Sequence, residues 1–216
     1  MTVYDFPLAP LDERMYIIIG DGSAIVIDPS VNSDAIRLLR ENAVNEIFIF
    51  LTHEHFDHIT GVETFRQMFK TSVICSDICA ERICSTKYNL SSRFEIFYLM
   101  NHDLDREEYS KMCNKPFTTH ADITYSGGYS MNWCGHTIQC IVTPGHSPGS
   151  SCIIIDEKHV FTGDSLVNGF DTITRYPGGN KKDFENITLP FLRAIEPDVM
   201  IYPGHGDREK KEHWNI

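Results

Sequence analysis

Short apolar runs separated by turn residues dominate the first third of the chain. Met15 to Ile19 and Ala24 to Ile27 flank Gly20-Asp21-Gly22 and predict a β-hairpin. Asn32-Ser33-Asp34 offers an N-cap to a helix running to about Arg40, with Ile36, Leu38 and Leu39 supplying its apolar side. Glu46 to Leu51 has the composition of a buried strand and runs straight into a His-rich segment that begins after Thr52. A helix is expected next, from about Ile59 to Phe69, with Val62, Phe65, Met68 and Phe69 on one face. A strand from Ser72 to Ser76 follows.

Between about Ile78 and Lys115 the pattern weakens, and only Ile78–Thr86 and Asp105–Met112 read as helical. Strand signals return at Asp122–Tyr125, Ser130–Trp133, His136–Val142, Ser151–Ile155 and Val160–Phe161. A helix from about Lys182 to Ile195, ended by Pro197, precedes a last strand at Val199–Tyr202. Alternating βαβ units would not give so long a middle run of strands. An αββα sandwich of α/β class, built from two βαβα-like halves, would. No Pro/Gly/Ser-rich linker divides the sequence, so one domain over residues 1–216 is expected, with an insertion or lid at about 78–115. Phe94, Phe97, Tyr98 and Tyr109 are its candidate apolar walls.

Composition narrows the function classes. Nineteen basic against 30 acidic residues give a formal charge of -11, with no basic stripe of the kind that grips nucleic acid. Arg208, Lys210 and Lys211 are interleaved with Glu209 and Glu212 and read as a solvated tail. Seven cysteines without a repeated spacing argue against a disulfide framework, and Cys75, Cys79 and Cys84 match no zinc-knuckle pattern. No basic-then-apolar leader opens the sequence, and no apolar run approaches the ~20 residues a membrane span needs. A cytoplasmic protein with no membrane or nucleic-acid partner is expected, its partner being a small-molecule substrate.

The chemistry lies in four short motifs. The first is His53-Glu54-His55-Phe56-Asp57-His58, between a buried strand and a helix. In extended backbone His53 and His55 point to one side, while Asp57 and His58 sit where the chain turns, so one loop can feed two metal positions. Imidazole and carboxylate suit zinc, iron or manganese. The other three are Thr143-Pro144-Gly145-His146, Phe161-Thr162-Gly163-Asp164 and Tyr202-Pro203-Gly204-His205. Each is a buried strand, a small residue, then one ligand-type side chain, and strand ends gathered at one edge of a sandwich would bring them together. His102, His120, His136, His159 and His213 lie outside the motifs and carry no such expectation.

In this order, after Asp28, the motifs resemble the metallo-β-lactamase superfamily in its glyoxalase-II-like branch, from the Met15 hairpin to Gly206. The resemblance implies the metallo-β-lactamase fold and two divalent metal ions, zinc first, with iron or manganese as alternatives. It implies that His53, His55 and His146 hold one ion, that Asp57, His58 and His205 hold the other, that Asp164 bridges them, and that Asp28 supports the site from behind. The implied reaction is hydrolysis of a small ester, thioester, lactone or phosphoester by a hydroxide that two metals activate, with Asp57 and Asp164 as its catalytic carboxylates. Asp57 would also shuttle a proton. Arg175 and Tyr176 lie in a loop that resembles one overhanging the family's site, and they are candidate substrate contacts.

Departures trim the family's range. The chain stops eleven residues after His205, without the helical domain of glyoxalase II, which argues against a glutathione thioester. Asp164 stands where zinc β-lactamases lack an Asp bridge, the charge of -11 conflicts with RNA processing, and His55 replaces the Glu of flavodiiron reductases. Two other classes stay open on the same fold: a mononuclear iron oxidoreductase resembling persulfide dioxygenases, and a non-catalytic ligand sensor.

Overall fold

Two six-stranded sheets face one another in the computed structural model, which describes residues 1–100, 105–112 and 115–216. The first sheet has the order β1 (Tyr4–Leu8), β2 (Glu13–Ile19), β3 (Ser23–Ile27), β4 (Glu46–Phe50), β5 (Lys70–Ser76), β6 (Ile123–Tyr125). β1, β2 and β3 pair antiparallel, and β3 through β6 pair parallel. The second runs β12 (Glu209–Lys210), β11 (Met200–Pro203), β10 (His159–Gly163), β9 (Ser151–Ile155), β8 (His136–Val142), β7 (Gly128–Trp133), with β10 and β11 its one parallel pair among the described strands.

The expected αββα sandwich is thus the observed architecture. Between the sheets Tyr16, Ile18, Ile25, Ile27, Phe50 and Ile74 meet Ile138, Ile153, Ile155, Phe161 and Tyr202. The outer face of the first sheet is covered by α1 (Ser33–Glu41), α2 (Val62–Met68) and α3 (Asp77–Ile83), through Ala35, Leu39, Val62, Phe65, Cys79 and Ile83. β4 lies between two parallel neighbours and is covered on both faces, which is why it reads Glu-Ile-Phe-Ile-Phe without alternation. Asn32 caps α1 as its sequence predicts, its side chain accepting from the Asp34 and Ala35 amides at 2.9 and 3.1 Å.

Several elements differ from expectation. The helix expected from Ile59 to Phe69 is two pieces, a 3-10 turn at Phe56–Ile59 and α2, and Met68 is exposed rather than on the buried face. The break falls at Thr60-Gly61, where the Gly61 amide bonds Pro29 O at 2.8 Å and a Cβ would press on the Ser30 backbone. The helix expected from Lys182 to Ile195 is likewise divided into α6 (Lys181–Asp183), a π-helical turn at Phe184–Thr188 and α7 (Leu189–Ala194). Pro190 has no amide for the α ladder, and the Leu189 amide reaches back to Phe184 O instead. α7 covers the second sheet, with Leu192 buried against Ile154, Val160 and Ile201. β1, with Pro7 inside it, is an edge strand that the pattern did not reveal.

In the weakly patterned segment, α4 (Phe94–Met100) and α5 (Arg106–Met112) follow a 3-10 turn at Ser91–Arg93. Phe94, Tyr98 and Tyr109 stack together. The Phe97 side chain, His102 and Cys113 lie outside the described residues. No described helix is long and apolar enough to cross a membrane.

Asp122 fixes the entry to β6. It accepts the Val73 amide at 2.8 Å and the Arg66 guanidinium at 2.8 and 3.3 Å. Partial burial opposes its charge, but that amide and Arg66 outweigh it and hold the carboxyl below its usual 3.8. A depressed carboxyl pKa stabilises the fold above the unfolded value, and the gain is lost as pH falls through the folded value. Asp122→Asn is therefore expected to cost about 1 kcal/mol or less at pH 7, since a third of the side chain is exposed. The gap in urea midpoint to the parent should begin to close as pH falls below about 4 and vanish only below the folded value; a gap that persists unchanged at pH 3 would contradict the ion-pair account.

Candidate metal centre

β4 delivers the first motif. Leu51 is still tied to β5 by its amide on Ile74 O at 3.1 Å, and Thr52 bridges the two sheets, its carbonyl accepting the Ser151 amide at 2.7 Å. His53 and His55 then share one side of extended chain, and the turn at Phe56–Ile59 swings Asp57 and His58 in behind them. β8 ends before His146, β10 before Asp164 and β11 before His205. Glycines make these approaches. Gly163 sits at φ +49°, and a side chain there would collide with Thr52. A Cβ on Gly204 would press on Asp164 and on His58.

The four stretches meet. His55 Nδ1 lies 3.1 Å from His53 Nε2 and 2.9 Å from His146 Nε2. Asp57, His58 and His205 form a second group, with Asp57 Oδ2 3.8 Å from His58 Nε2 and 3.5 Å from His205 Nε2. Asp164 stands between the groups: Oδ2 is 3.4 Å from His146 Nε2, and Oδ1 is 3.4 Å from His58 Nε2 and 3.5 Å from His205 Nε2. Within each group the candidate ligand atoms all lie within 4.8 Å of one another.

The hydrogen bonds behind the rings fix their tautomers. Thr52 Oγ1 donates its one proton to Asp28 at 2.5 Å, so it can only accept from His53 Nδ1 at 3.1 Å. His146 Nδ1 donates to Ile173 O at 2.9 Å, His205 Nδ1 to Leu11 O at 2.9 Å, and His58 Nδ1 to Asp28 Oδ2 at 3.0 Å. In these four rings the outer nitrogen thus carries a proton and Nε2 can turn a lone pair inward, whereas His55 faces inward through Nδ1 and its buried Nε2 has no hydrogen-bond partner among the described residues. In the first group three nitrogens face one another with at most one proton to share, an arrangement a cation among them satisfies. In the second, buried His58 Nε2 and Asp164 Oδ1 have no hydrogen-bond partner among the described residues. The donor set therefore fits metal ions at both positions. Asp28, His53 and His58 also cluster, but Asp28 receives the outward proton of His58, which makes it a support rather than a third ion site.

Electrostatics separate the two groups. Burial, followed by neighbouring imidazoles, pushes His53 well below its ordinary 6.5 and His55 down to about 3; burial also lowers His146. These three are neutral, as ligation requires. Burial opposes the charges of Asp57 and Asp164, yet His58 and His205 outweigh it, taking Asp57 down to about 2 and Asp164 well below its usual value. Against the same burial, the two carboxylates hold His58 and His205 well above the ordinary imidazole value. The second group draws positive charge to its centre.

His55, Asp57, His146, Asp164 and His205 form part of the wall of a cavity of about 680 Å3. Tyr176 overhangs it, its ring 6.0 Å from that of His55 and 5.9 Å from that of His146, and Arg175 stands exposed at the rim. The other described histidines face elsewhere: His136 pairs with Asp156, His213 with Glu209, His159 with the Tyr202 hydroxyl, and exposed His120 faces Asp122.

Two features escaped the sequence reading. Glu54, between His53 and His55, is fully buried on the opposite side, where it receives Arg82 Nε at 2.6 Å and the Ser147 hydroxyl at 2.8 Å. Arg82 also donates to Pro177 O at 3.0 Å, tying the first motif to the loop that carries Tyr176. Strand alternation could have flagged Glu54 as inward and in need of a cation. Glu13 is fully buried, 4.0 Å from His58 Nδ1, with no hydrogen bond to either carboxylate oxygen among the described residues, and nothing in the local pattern marks it.

Comparison with known proteins agrees with this geometry. The sequence profile described as the metallo-beta-lactamase superfamily matches residues 9–205. The chain is 28% identical over 189 residues to the probable polyketide biosynthesis zinc-dependent hydrolase BaeB of Bacillus velezensis, covering 87% of this chain and 69% of that one. It is 25% identical over 209 residues to the hydroxyacylglutathione hydrolase GloC of Haemophilus influenzae, covering 95% and 91%. The crystal structure of the BLEG-1 B3 metallo-beta-lactamase superposes with a TM-score of 0.78 at 25% identity, over 98% of this chain and 95% of the other.

Proposed function

The chain belongs to the metallo-beta-lactamase superfamily, and from that premise we propose that it is a dinuclear metal-dependent hydrolase of a small ester, thioester, lactone or phosphoester. The observation that carries this reading is the convergence of seven imidazole and carboxylate side chains from four strand ends, the outer nitrogens of His53, His58, His146 and His205 held by hydrogen bonds and the inner atoms facing one another. The names of BaeB and GloC, a zinc-dependent hydrolase and a hydroxyacylglutathione hydrolase, support it and favour zinc. A glutathione thioester stays within this range despite the short stretch after His205, because the match covers 91% of GloC.

In this reading His53, His55 and His146 would hold one ion and Asp57, His58 and His205 the other, with Asp164, placed between the two groups, available to both. When bound, such a pair lowers the pKa of a shared water toward neutrality and polarises the oxygen of the bond under attack. Asp28 and Thr52 keep His58 and His53 in the ligating tautomer. Asp57 lies at the cavity wall and takes the proton released by the attacking water, passing it to the departing alcohol or thiol. Tyr176 positions the substrate over His55 and His146, and Arg175 offers a cation at the rim to an anionic leaving portion. The segment around 78–115 acts as an insertion bordering the cavity, with Leu90 as its contact.

Elemental analysis of protein purified without added metal, followed by an ester, thioester, lactone and phosphodiester panel on the same preparation, tests this. Two zinc ions per chain with turnover of at least one member are expected. One iron per chain with oxygen uptake on glutathione persulfide would make it an oxidoreductase, and tight metabolite binding with no turnover would make it a sensor.

A further inference from the structure

Much of the lining of the cavity at the metal centre is apolar. Leu11 comes from the turn before β2, Phe56 from the first motif, Leu90 from the segment after α3, and Val167, Phe170 and Ile173 from the loop after Asp164. Among the described lining residues Arg175 is the one fixed cation, and it stands at the exposed rim. A polyanionic substrate would meet Asp57, Asp164 and Asp171 with little to offset them beyond the metal ions themselves. An apolar body would meet a matching wall.

Two of these residues are held in place in ways that core packing alone does not require. Phe170 is 77% exposed, yet a tight turn fixes it: its amide reaches Val167 O at 3.4 Å, Val167 and Phe170 form a β-bridge, and Gly169 between them has φ +77°. The turn displays an aromatic ring at the cavity mouth. Leu90 adopts φ +65°, a left-handed conformation costly for a residue with a branched side chain. It is buried against Phe56 and Tyr109, with Phe94 and Tyr98 packed behind. Strain of this kind persists where the surroundings impose it, and here it holds Leu90 in the cavity lining.

We propose that this wall is an acyl subsite. The cavity takes a carboxylic ester or thioester whose acyl group carries an apolar body of roughly six to ten carbons, a size that suits a pocket in the usual small-molecule range. The carbonyl end lies at the metal centre and the body runs between Leu90 and Phe170. The inference rests on the hydrolase reading above and narrows it, placing short polar acyl groups and phosphoesters outside the preferred range.

The test is a series of N-acetylcysteamine thioesters with acetyl, butyryl, octanoyl and phenylacetyl groups, assayed on the metal-loaded protein. kcat/KM is expected to rise on the order of a hundredfold from acetyl to octanoyl, because several methylenes leave water. Phe170→Ala should lower the octanoyl-to-acetyl ratio roughly tenfold, and Phe170→Leu should keep most of it. Phe170 is exposed, so neither change threatens folding. A titration calorimetry arm reads the subsite without turnover: octanoate should bind the metal-loaded protein at least about tenfold more tightly than acetate, with the difference reduced in Phe170→Ala. Turnover without chain-length dependence, with octanoate and acetate binding alike, would overturn the subsite and leave the hydrolase reading standing. No turnover of this series or of the ester, lactone and phosphodiester panel, with octanoate still preferred, would uphold the subsite and count against the hydrolase reading.

Discussion

His55→Ala and Asp164→Ala are each expected to yield a folded protein that binds less metal and loses at least about a thousandfold in kcat/KM on any substrate the parent hydrolyses. The two changes act differently. His55 Nδ1 is where His53 Nε2 and His146 Nε2 converge, so its removal opens the first group and leaves the second intact. Asp164 contacts ring nitrogens of both groups, and its loss should lower occupancy of both ions together. Metal binding to the native state alone stabilises it by about 2.7 kcal/mol at a hundred times the dissociation constant. Both variants should therefore show a smaller rise in melting temperature on adding zinc than the parent. His120→Ala, at an exposed imidazole beside Asp122, should change neither metal content nor turnover. Full activity and two ions per chain in Asp164→Ala would contradict the bridged centre.

The contrast between those residues and their supports shows what the sequence made legible. His53, His55, Asp57 and His58 are adjacent in the chain, so one spacing pattern exposes them. His146, Asp164 and His205 each follow a strand end and a glycine, a signal that becomes specific only when all three occur in order. Apart from Asp28, which the resemblance marks, the supports leave no such trace. The rings of His146 and His205 are oriented by Ile173 O and Leu11 O, backbone carbonyls that any residue would supply. Thr52 looks like an ordinary strand residue until Asp28 is found 2.5 Å from its hydroxyl.

The same reasoning explains the fold. The two-sheet sandwich was readable because β4 and β9 are continuous apolar runs and β8 alternates, and these patterns follow directly from which faces are covered. The breaks were not. The interruption at Thr60-Gly61 exists because the Pro29-Ser30 backbone passes close by, and the π-turn before α7 serves a long-range contact. Its Thr188 hydroxyl donates to Pro144 O at 2.6 Å, and a Cβ on Gly145 would press on Phe184. Both irregularities answer to partners distant in sequence, and both lie beside loops that carry candidate ligands, which is where local preference gives way to function.

Phe161→Ala should be the most destabilising of the core truncations near the site, by about 3–5 kcal/mol. Phe161 is 1% exposed, stacks on Tyr202 at 4.5 Å between centroids and meets Tyr16 edge-on at 5.3 Å. Tyr16 in turn holds Pro203 O through its hydroxyl at 2.8 Å. The three rings join β2, β10 and β11 directly beneath the strand ends that present Asp164 and His205. Removing the Phe161 ring leaves a cavity between the sheets and loosens the positions from which the second group of candidate ligands is aimed. A loss of this size is a large part of the 5–15 kcal/mol by which a domain is ordinarily stable. Urea unfolding of the chelator-treated variant should therefore show a much lower midpoint, and zinc should recover part of the loss, because ligation binds the native state alone. Conversely, a variant whose metal affinity is unchanged while its stability falls by the full amount would show that the aromatic trio supports the sandwich without positioning the ligands.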